Sequence, residues 1–213
     1  MRDVFNRELQ SLKETLRHMG SVCADAISFA TQAMLIDDEA LLERAIEAER
    51  ESDALERQVR GLCMRILLEQ QPVASDLKMV SGALKVVADM ERIGDMGEDI
   101  ALLLKKTHTV DLPSFTTHLA AMADCIIRML TAACESFIKQ DAQLAKDVCG
   151  MDDEADRLFR QLKDDIVDAM IEGAVHGSRD FAESALASLM IAKYLERTGD
   201  HAENIAQAAL SLS

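Results

Sequence analysis

The chain has 213 residues, of which 49% are apolar, 29% are charged and only 3% are aromatic. A chain of this length can bury a sizeable aliphatic core, as one large domain or two small ones. The formal net charge of −15 argues against direct binding to nucleic acid or to anionic membranes, and it favours cations and basic protein surfaces as partners.

Few helix-breaking residues interrupt the chain, which contains 2 prolines and 9 glycines. Composition therefore predicts an all-α protein with long helices. The first helix is predicted over residues 4–36, and Asp37 and Asp38 are expected to break the chain and to cap the second helix. That second helix is predicted to run to about Glu69.

The stretch QQPVASD turns the chain after the second helix, with Pro72 as the breaker. Ser75 or Asp76 is expected to cap the third helix, because short polar side chains accept hydrogen bonds from the first backbone N–H groups. The third helix is predicted to end near Lys106. Residues 107–114, THTVDLPS, are polar and contain the other proline, which predicts a linker.

The second half of the chain predicts three more helices. The fourth is expected over residues 115–140, and Asp141 is expected to start the fifth. The stretch EGAVHGSRD contains Gly173 and Gly177, which predict a turn before a sixth helix over about residues 179–212.

The N-terminal stretch MRDVFNRELQ lacks the apolar segment of a signal peptide. No apolar run approaches the roughly 20 residues that a membrane-spanning helix needs, so a cytoplasmic protein without membrane insertion is expected. The cysteines form no CxxC motif, and each falls in a predicted helix, so they are expected to be buried thiols in a reducing compartment. They are Cys23, Cys63, Cys125, Cys134 and Cys149.

An internal repeat relates the two halves. The pentapeptide ERIGD at residues 91–95 returns as ERTGD at residues 196–200, an offset of 105 residues. Residues of the second helix match those of the fifth at an offset of 103, as Asp53 matches Asp156. The repeat predicts two pseudo-symmetric antiparallel three-helix bundles, over residues 1–107 and 108–213.

Each half carries two pairs in which an acidic residue is followed four residues later by Asp. Residues four apart lie on one helix face, and like charges there cost about 0.2–0.5 kcal/mol per pair. Four such pairs would therefore cost on the order of 1–2 kcal/mol unless a positive charge lies between them. The pairs are Glu49/Asp53, Glu91/Asp95, Asp152/Asp156 and Glu196/Asp200.

The acidic residues of the first half are arranged symmetrically about the turn at Pro72. Glu49 and Asp95 each lie 23 residues from this proline, and Asp53 and Glu91 each lie 19 residues from it. In an antiparallel helical hairpin, residues equidistant from the turn lie side by side. The spacing therefore predicts that one hairpin brings four carboxylates to one level.

The second half repeats this symmetry about His176. Asp152 and Asp200 each lie 24 residues from it, and Asp156 and Glu196 each lie 20 residues from it. Gly94 and Gly199 each cost about 1 kcal/mol relative to Ala inside a helix. Their repetition beside the acidic residues suggests a close approach of two backbones.

Two interpretations of the acidic residues remain open. Four carboxylates without a thiol suit Mg²⁺, Mn²⁺, Fe or Zn²⁺, which predicts one metal site in each half. The alternative is a solvated charged face of a metal-free helical scaffold, in which arginines neutralise the acids. The candidate ion-pair partners are Arg57, Arg92, Arg160 and Arg197.

Catalysis has no positive signal in the sequence. A ferritin-like di-iron oxidase needs Glu-x-x-His pairs, and none of the 5 histidines has Glu three residues before it. His201 is either an additional ligand or a core or surface residue. No nucleophile–base pair or glycine-rich phosphate loop is evident, so the chain is predicted not to be an enzyme, with a carboxylate-bridged di-metal enzyme as the alternative.

Five segments of the chain resemble the PhoU family of bacterial phosphate-transport regulators. DMERIGDMGEDIA and YLERTGDHAENIA are similar to the two signature segments, and EQQPVASDL to the first turn. EAERESDALER and MDDEADRLFRQL are similar to the acidic segments of the second helix in each half. The resemblance covers nearly the whole chain, with the motifs in the family's order and number.

The resemblance implies metal clusters at the eight acidic residues of the four pairs and a regulatory rather than enzymatic role. PhoU-like proteins act with the phosphate-specific ABC transporter and its ATPase, and with a membrane sensor histidine kinase, to restrain phosphate uptake and the phosphate-starvation response. Homodimers are usual. Asp99 stands where the first signature often has Asn, and Glu98 and Glu203 add further acid, so the acidic grooves are more negative in this chain.

Overall fold

A computed structural model describes residues 2–173 and 178–212, which form six α-helices and no strand. A π-helical turn, Ile66–Gln70, extends the second helix. The all-α prediction is confirmed, whereas His176 and Gly177 of the predicted turn lie outside the described residues. The helices are α1 (Arg2–Ile36), α2 (Glu39–Arg65), α3 (Ser75–Leu104), α4 (Pro113–Lys139), α5 (Ala142–Gly173) and α6 (Arg179–Leu210).

The six helices form two three-helix bundles. Helices α1, α2 and α3 pack on one another, and so do α4, α5 and α6. The bundles are joined along two lines, α1 against α4 and α3 against α6. This architecture confirms the predicted pair of pseudo-symmetric bundles. The division of the chain at residues 107 and 108 stays a prediction.

Short polar side chains begin three of the helices. Asp38, Asp141 and Ser178 each accept hydrogen bonds from backbone N–H groups two or three residues later, at 2.9–3.2 Å. These bonds satisfy N–H groups that the helix itself leaves unpaired. Asp38 and Asp141 therefore mark helix boundaries where the sequence predicted them.

The expected caps of α3 are wrong. Ser75 is already the first helical residue, and Ala74 precedes it with a φ of 48° and no side-chain hydrogen bond. The chain turns through left-handed conformations at Gln71 and Ala74, so neither polar residue has the extended backbone that a capping side chain needs. Asp76 instead lies in the first turn of α3, where a negative charge interacts favourably with the helix dipole.

The linker between the bundles has the predicted length but lies two residues earlier in the chain. Pro113 begins α4, so the helix starts two residues before the expected Phe115 and the connecting segment covers residues 105–112. Proline is well suited to the first helical position because its fixed φ is helical and no partner for an N–H group is needed there. The backbone N–H of Val110 donates to Ser188 Oγ at 2.9 Å, which ties this segment to α6.

Helix α1 qualifies the expectation that no segment could cross a membrane. Between Asp3 and Ile36 it contains a window of 18 residues with a mean hydropathy of 1.3, long and apolar enough to span a bilayer by those criteria. Half of that window is buried inside the protein. Because α1 packs against α2, α3 and α4 at once, its apolar surface is accounted for by the core.

Candidate metal centres

The structure brings the acidic residues of the first bundle to facing sides of the α2–α3 hairpin. Burial raises the pKa of the Glu49 carboxyl on α2, and the negative charges of Glu98, Asp53 and Asp95 raise it further. The charges of Glu98 and Asp95 come from α3, on the other side of the hairpin. Glu49 therefore lies near Asp95, as their equal distance from Pro72 predicts. We call this group of acidic residues the first cleft.

The pKa values of Glu91 and Asp95 on α3 depend on the same group of neighbouring charges. Burial and then the charge of Asp95 raise the pKa of Glu91, with Asp53 on α2 contributing. Burial also raises the pKa of Asp95, although the guanidinium of Arg92 opposes the shift. The four carboxylates of the first cleft thus interact across the hairpin.

The second cleft repeats the arrangement on α5 and α6. Burial raises the pKa of Asp152 to about 6, and the charges of Glu203, Asp156 and Asp200 contribute to that rise. Burial followed by the charge of Glu196 raises the pKa of Asp200, and Asp156 contributes as well. The four predicted acids of the second half therefore interact with one another.

The acidic side chains are partly exposed. Glu196 is 17% exposed, Asp95 37% and Asp53 45%. Ile93 and Ile205 point away from the clefts and are fully buried. Each cleft is therefore a groove beside a packed core, where side chains can rotate and ions from solvent can enter.

Basic residues neutralise the first cleft more than the second. Arg92 contacts Glu91 at 3.4 Å and Asp95 at 3.1 Å, and Arg57 contacts Asp53 at 3.4 Å. These are two of the four ion pairs that a charged face predicts.

In the second cleft the expected pairs do not form at the carboxylates. Arg160 donates to the backbone oxygen of Asp156 at 3.1 Å. Lys193 pairs with Glu196, and no ion pair joins Arg197 to Asp200 in the described part of the chain. The second cleft therefore retains more unneutralised charge.

The two glycines that lie beside the acids face different neighbours. A Cβ atom at Gly94 would lie 3.0 Å from Ser52 Oγ, the side chain that precedes Asp53 on α2. A Cβ atom at Gly199 would lie 2.8 Å from Ile126 Cδ1. The predicted close approach is confirmed at the first cleft, where the absence of a side chain lets α2 and α3 approach at the level of the acids. Gly199 instead leaves room for the Ile126 side chain of α4.

The chemistry of the donor set fits a metal ion, although the side chains are not gathered around one. Within residues 2–173 and 178–212, no three Asp, Glu, His or Cys side chains are grouped as they would be around an ion. Carboxylates that repel one another in a groove are nevertheless the ligands that hard cations take. Metal ligation at either cleft requires the side chains to rotate towards one another, and their partial exposure leaves room for this.

Sequence reasoning missed a thiol that lies beside the second cleft. The Sγ atom of Cys149 accepts a hydrogen bond from Gln207 Nε2 at 3.4 Å, and the same amide donates to Glu203 Oε1 at 3.3 Å. Its position in the sequence carried the signal, because Cys149 precedes Asp152 by three residues and so lies one turn away on the same helix face.

The structure places His201 at the contact between the bundles. Its Nδ1 atom lies 2.9 Å from Asp89 Oδ1 on α3, and Asn204 Nδ2 donates to the same oxygen at 3.3 Å. The pseudo-symmetric position of Asp89 is Tyr194, whose pKa is raised by burial and by the nearby charge of Asp99. The sequence does not reveal these contacts, since they join different bundles.

Asp152→Asn is expected to weaken the pH dependence of stability in the metal-free protein. The pKa of Asp152 is about 6 when folded and about 3.9 when unfolded. Protonation therefore favours the folded state, and the stability that it contributes is present below about pH 4 and lost as the pH rises through about 6.

Urea denaturation with chelator present, at pH 5 and pH 7, measures this effect. Wild-type protein should lose more stability between the two values than Asp152→Asn. An exposed aspartate further along α5 gives the matched control, Asp164→Asn, which should behave like wild type. Equal pH dependence in all three proteins would contradict the prediction.

Comparison with known proteins identifies relatives along the whole chain. The family model described as PhoU domain matches residues 16–104 and 119–209, one match in each bundle. The chain is 33% identical to the phosphate-specific transport system accessory protein PhoU homolog of Aquifex aeolicus, covering 97% of this chain and 91% of that protein. It is 30% identical to the phosphate-specific transport system accessory protein PhoU of Escherichia coli, covering 95% and 82%.

A solved structure agrees with these sequence matches. The crystal structure of PhoU from Pseudomonas aeruginosa superposes with a TM-score of 0.86, at 28% identity and with 98% of both chains covered. The similarity therefore extends over both bundles and both clefts.

Proposed function

Because this chain belongs to the PhoU family, we propose that it is a regulatory accessory protein of phosphate-specific transport. In this role it restrains phosphate uptake and the phosphate-starvation response. The observation that carries the proposal is the match of a PhoU domain to each of the two bundles. The relatives are named as accessory or regulatory proteins, which supports a non-enzymatic role.

The protein acts in this proposal as a cytoplasmic adaptor between the transporter's ATPase and a sensor histidine kinase. A homodimer is the expected form. The net charge of −15 supports partners with basic surfaces and opposes nucleic acid as a partner. A change in the conformation of the transporter would be transmitted to the kinase through contacts with the surfaces of these helices.

The two clefts bind divalent or trivalent metal ions in the same proposal. The ligands are the eight predicted acids, and the candidate ions are Fe, Mn, Mg and Zn. Burial and then mutual repulsion raise the pKa values of Glu49 and Asp152, and the repulsive part of these shifts supports this role. A bound cation would remove that repulsion and hold the two helices of a hairpin at a defined spacing, without taking part in bond making.

Deleting the gene in phosphate-replete cells is expected to derepress the phosphate-starvation response. A reporter of that response and the uptake of labelled phosphate measure the effect, and expression of the intact chain should restore repression. Tagged protein should also retain the transporter's ATPase and the sensor kinase in pull-down experiments with the purified partners. Normal repression after deletion would refute the regulatory role, and failure to retain either partner would refute the adaptor.

A further inference from the structure

The end of the α2–α3 hairpin exposes large apolar side chains. Leu68 on the π-helical turn is 72% exposed and Val73 in the turn before α3 is 73% exposed, more than any other large apolar side chain that the structure describes. Met64 and Leu77 nearby are exposed as well. We call this end of the hairpin, residues 57–88, the first tip. Neighbouring exposed apolar side chains of this kind mark a surface that another molecule covers.

Basic residues surround these apolar side chains. The first tip has five basic and two acidic residues and therefore a net charge of +3, although the whole chain carries −15. The charged residues are Arg57, Arg60, Arg65, Lys78 and Lys85 against Glu69 and Asp76. Arg57 and Arg60 pair with acids of their own helix. The other three basic residues are exposed, and no ion pair joins them to an acid within the described residues.

The internal repeat gives a comparison for this charge. The residues that correspond to the first tip are 160–173 and 178–193, which we call the second tip, and their net charge is −2. The offset of 103 places Leu68 on Ile171, which is also exposed. The same offset places Arg65 on Asp168, and the offset of 105 places Lys78 on Glu183. Apolar exposure is thus common to both tips, whereas the positive charge belongs to the first tip alone.

The two tips lie at opposite ends of the molecule. A Cβ atom at Gly82, near the start of α3, would lie 3.5 Å from Leu212, just beyond the end of α6. The backbone N–H of Val110, beyond the end of α3, donates to Ser188 near the start of α6. Helices α3 and α6 therefore run antiparallel, and the negative second tip does not share a surface with the first.

The acids of the first cleft are too far away to cancel the charge of the first tip. Asp53 precedes Arg65 by 12 residues and Glu91 follows Lys78 by 13, which is about 18–20 Å along a helix. At physiological ionic strength, charges more than about 8 Å apart are largely screened from one another. Residues 2–8 of α1, which begins at the same end of the bundle, carry two charges of each sign. A surface that contacts the first tip therefore meets a positive charge.

We propose that the first tip docks on a membrane surface that contains anionic lipids. Apolar side chains beside basic ones bind at a lipid–water interface, where the apolar groups enter the acyl boundary and the basic groups stay at the headgroups. Leu68 and Val73 take the first role, and Arg65 and Lys78 take the second. Side chains that project from the end of a hairpin enter lipid without the matching pocket that a protein would have to supply.

This contact goes beyond the proposed function. It depends neither on the metal sites nor on the two protein partners. The net charge of −15 opposes anionic membranes for the chain as a whole, but the screening of distant charges makes the local charge of the first tip decisive.

Co-sedimentation of the full-length protein with vesicles tests the electrostatic part of this contact. Vesicles of phosphatidylglycerol and phosphatidylcholine in equal amounts supply the anionic surface, and vesicles of phosphatidylcholine alone are the neutral reference. Chelator prevents metal ions from bridging the acidic clefts to lipid. Each basic residue near an anionic surface strengthens binding about fivefold. The double variant Arg65→Gln, Lys78→Gln should therefore bind about 25-fold more weakly than wild type, and added salt should weaken wild-type binding.

A second pair of substitutions tests the apolar part. Leu68→Ser, Val73→Ser should lose most of the binding to anionic vesicles, because both side chains would otherwise leave water. The matched control is Ile171→Ser in the second tip, which should bind as wild type does. These side chains are exposed, so each variant should fold, and circular dichroism measures its helices.

Binding of wild type to anionic vesicles that both tip variants lose and Ile171→Ser retains supports the lipid contact. Absence of wild-type binding, or equal binding by the tip variants, overturns it. Retention of the purified ATPase or kinase that requires Leu68 and Val73, without vesicle binding by wild type, assigns the first tip to a protein partner and also overturns the lipid contact. The gene deletion described above tests the regulatory role separately, so the two can fail independently.

Discussion

The double variant Asp95→Asn, Asp200→Asn is expected to lose most of its bound metal and to keep its helices. Each substitution removes one carboxylate from one cleft and preserves the size of the side chain. Asp95 interacts with Asp53 across the first hairpin, and Asp200 interacts with Asp156 across the second. The loss should therefore affect both clefts, while less repulsion remains to oppose folding.

Elemental analysis of gently purified protein measures this loss, and circular dichroism measures the helices. A matched control replaces two exposed acids outside the clefts, Asp25 on α1 and Asp164 on α5, with Asn. This control should retain wild-type metal content. Unchanged metal content in the cleft variant would remove the assignment of these carboxylates as ligands.

Thermal melting distinguishes the metal-binding protein from a metal-free scaffold. A ligand that binds only the folded state at a hundredfold excess over its Kd stabilises that state by about 2.7 kcal/mol. Wild-type protein should therefore melt at a higher temperature when metal is added and at a lower temperature with chelator. The cleft variant should respond to neither, and an unresponsive wild type would support the scaffold.

Phe137→Ala is expected to lower the free energy of unfolding by about 3–5 kcal/mol, the typical cost of removing a large aromatic side chain from a core. Phe137 on α4 is fully buried. Its ring faces Gly82 of α3, where a Cβ atom would lie 3.0 Å from Phe137 Cε2. The aromatic ring thus occupies space that a glycine leaves open on the other bundle. Removing the ring would leave a cavity between the bundles that the surrounding helices cannot easily close.

Phe29→Ala provides the matched control for this truncation. Phe29 on α1 is only partly buried, and the guanidinium of Arg44 stacks over its ring at 3.8 Å. Truncation of Phe29 should therefore lower the free energy of unfolding clearly less than truncation of Phe137. Urea denaturation followed by circular dichroism measures both variants, and equal losses of stability would contradict the structural distinction between them.

The helices could be predicted closely because their limits are set by neighbouring residues in the chain. Asp38 and Asp141 cap helices through their own backbone neighbours, so the residue type already indicates the boundary. The turn before α3 could not be predicted in the same way. There the left-handed conformations of Gln71 and Ala74 determine where the helix begins, and neither residue type signals them.

The acidic clefts were visible in the sequence through symmetry alone. In an antiparallel hairpin, residues that lie equally far from the turn along the chain are neighbours in space. Glu49 and Asp95 could therefore be placed together without coordinates. No comparable rule connects Cys149 to Gln207, or Asp89 to His201. Those contacts depend on the rotation of each helix about its axis and on which bundle surfaces meet.

The sequence by itself determined the six helices, their pairing into two repeats and the gathering of carboxylates in each hairpin, because helical periodicity and chain connectivity act over short distances. Only the tertiary structure decided how the repeats differ. It placed a thiol and an amide beside the second cleft, arginines beside the first, and Phe137 against Gly82 between the bundles. These features depend on side chains from separate helices filling shared space, which no local pattern specifies.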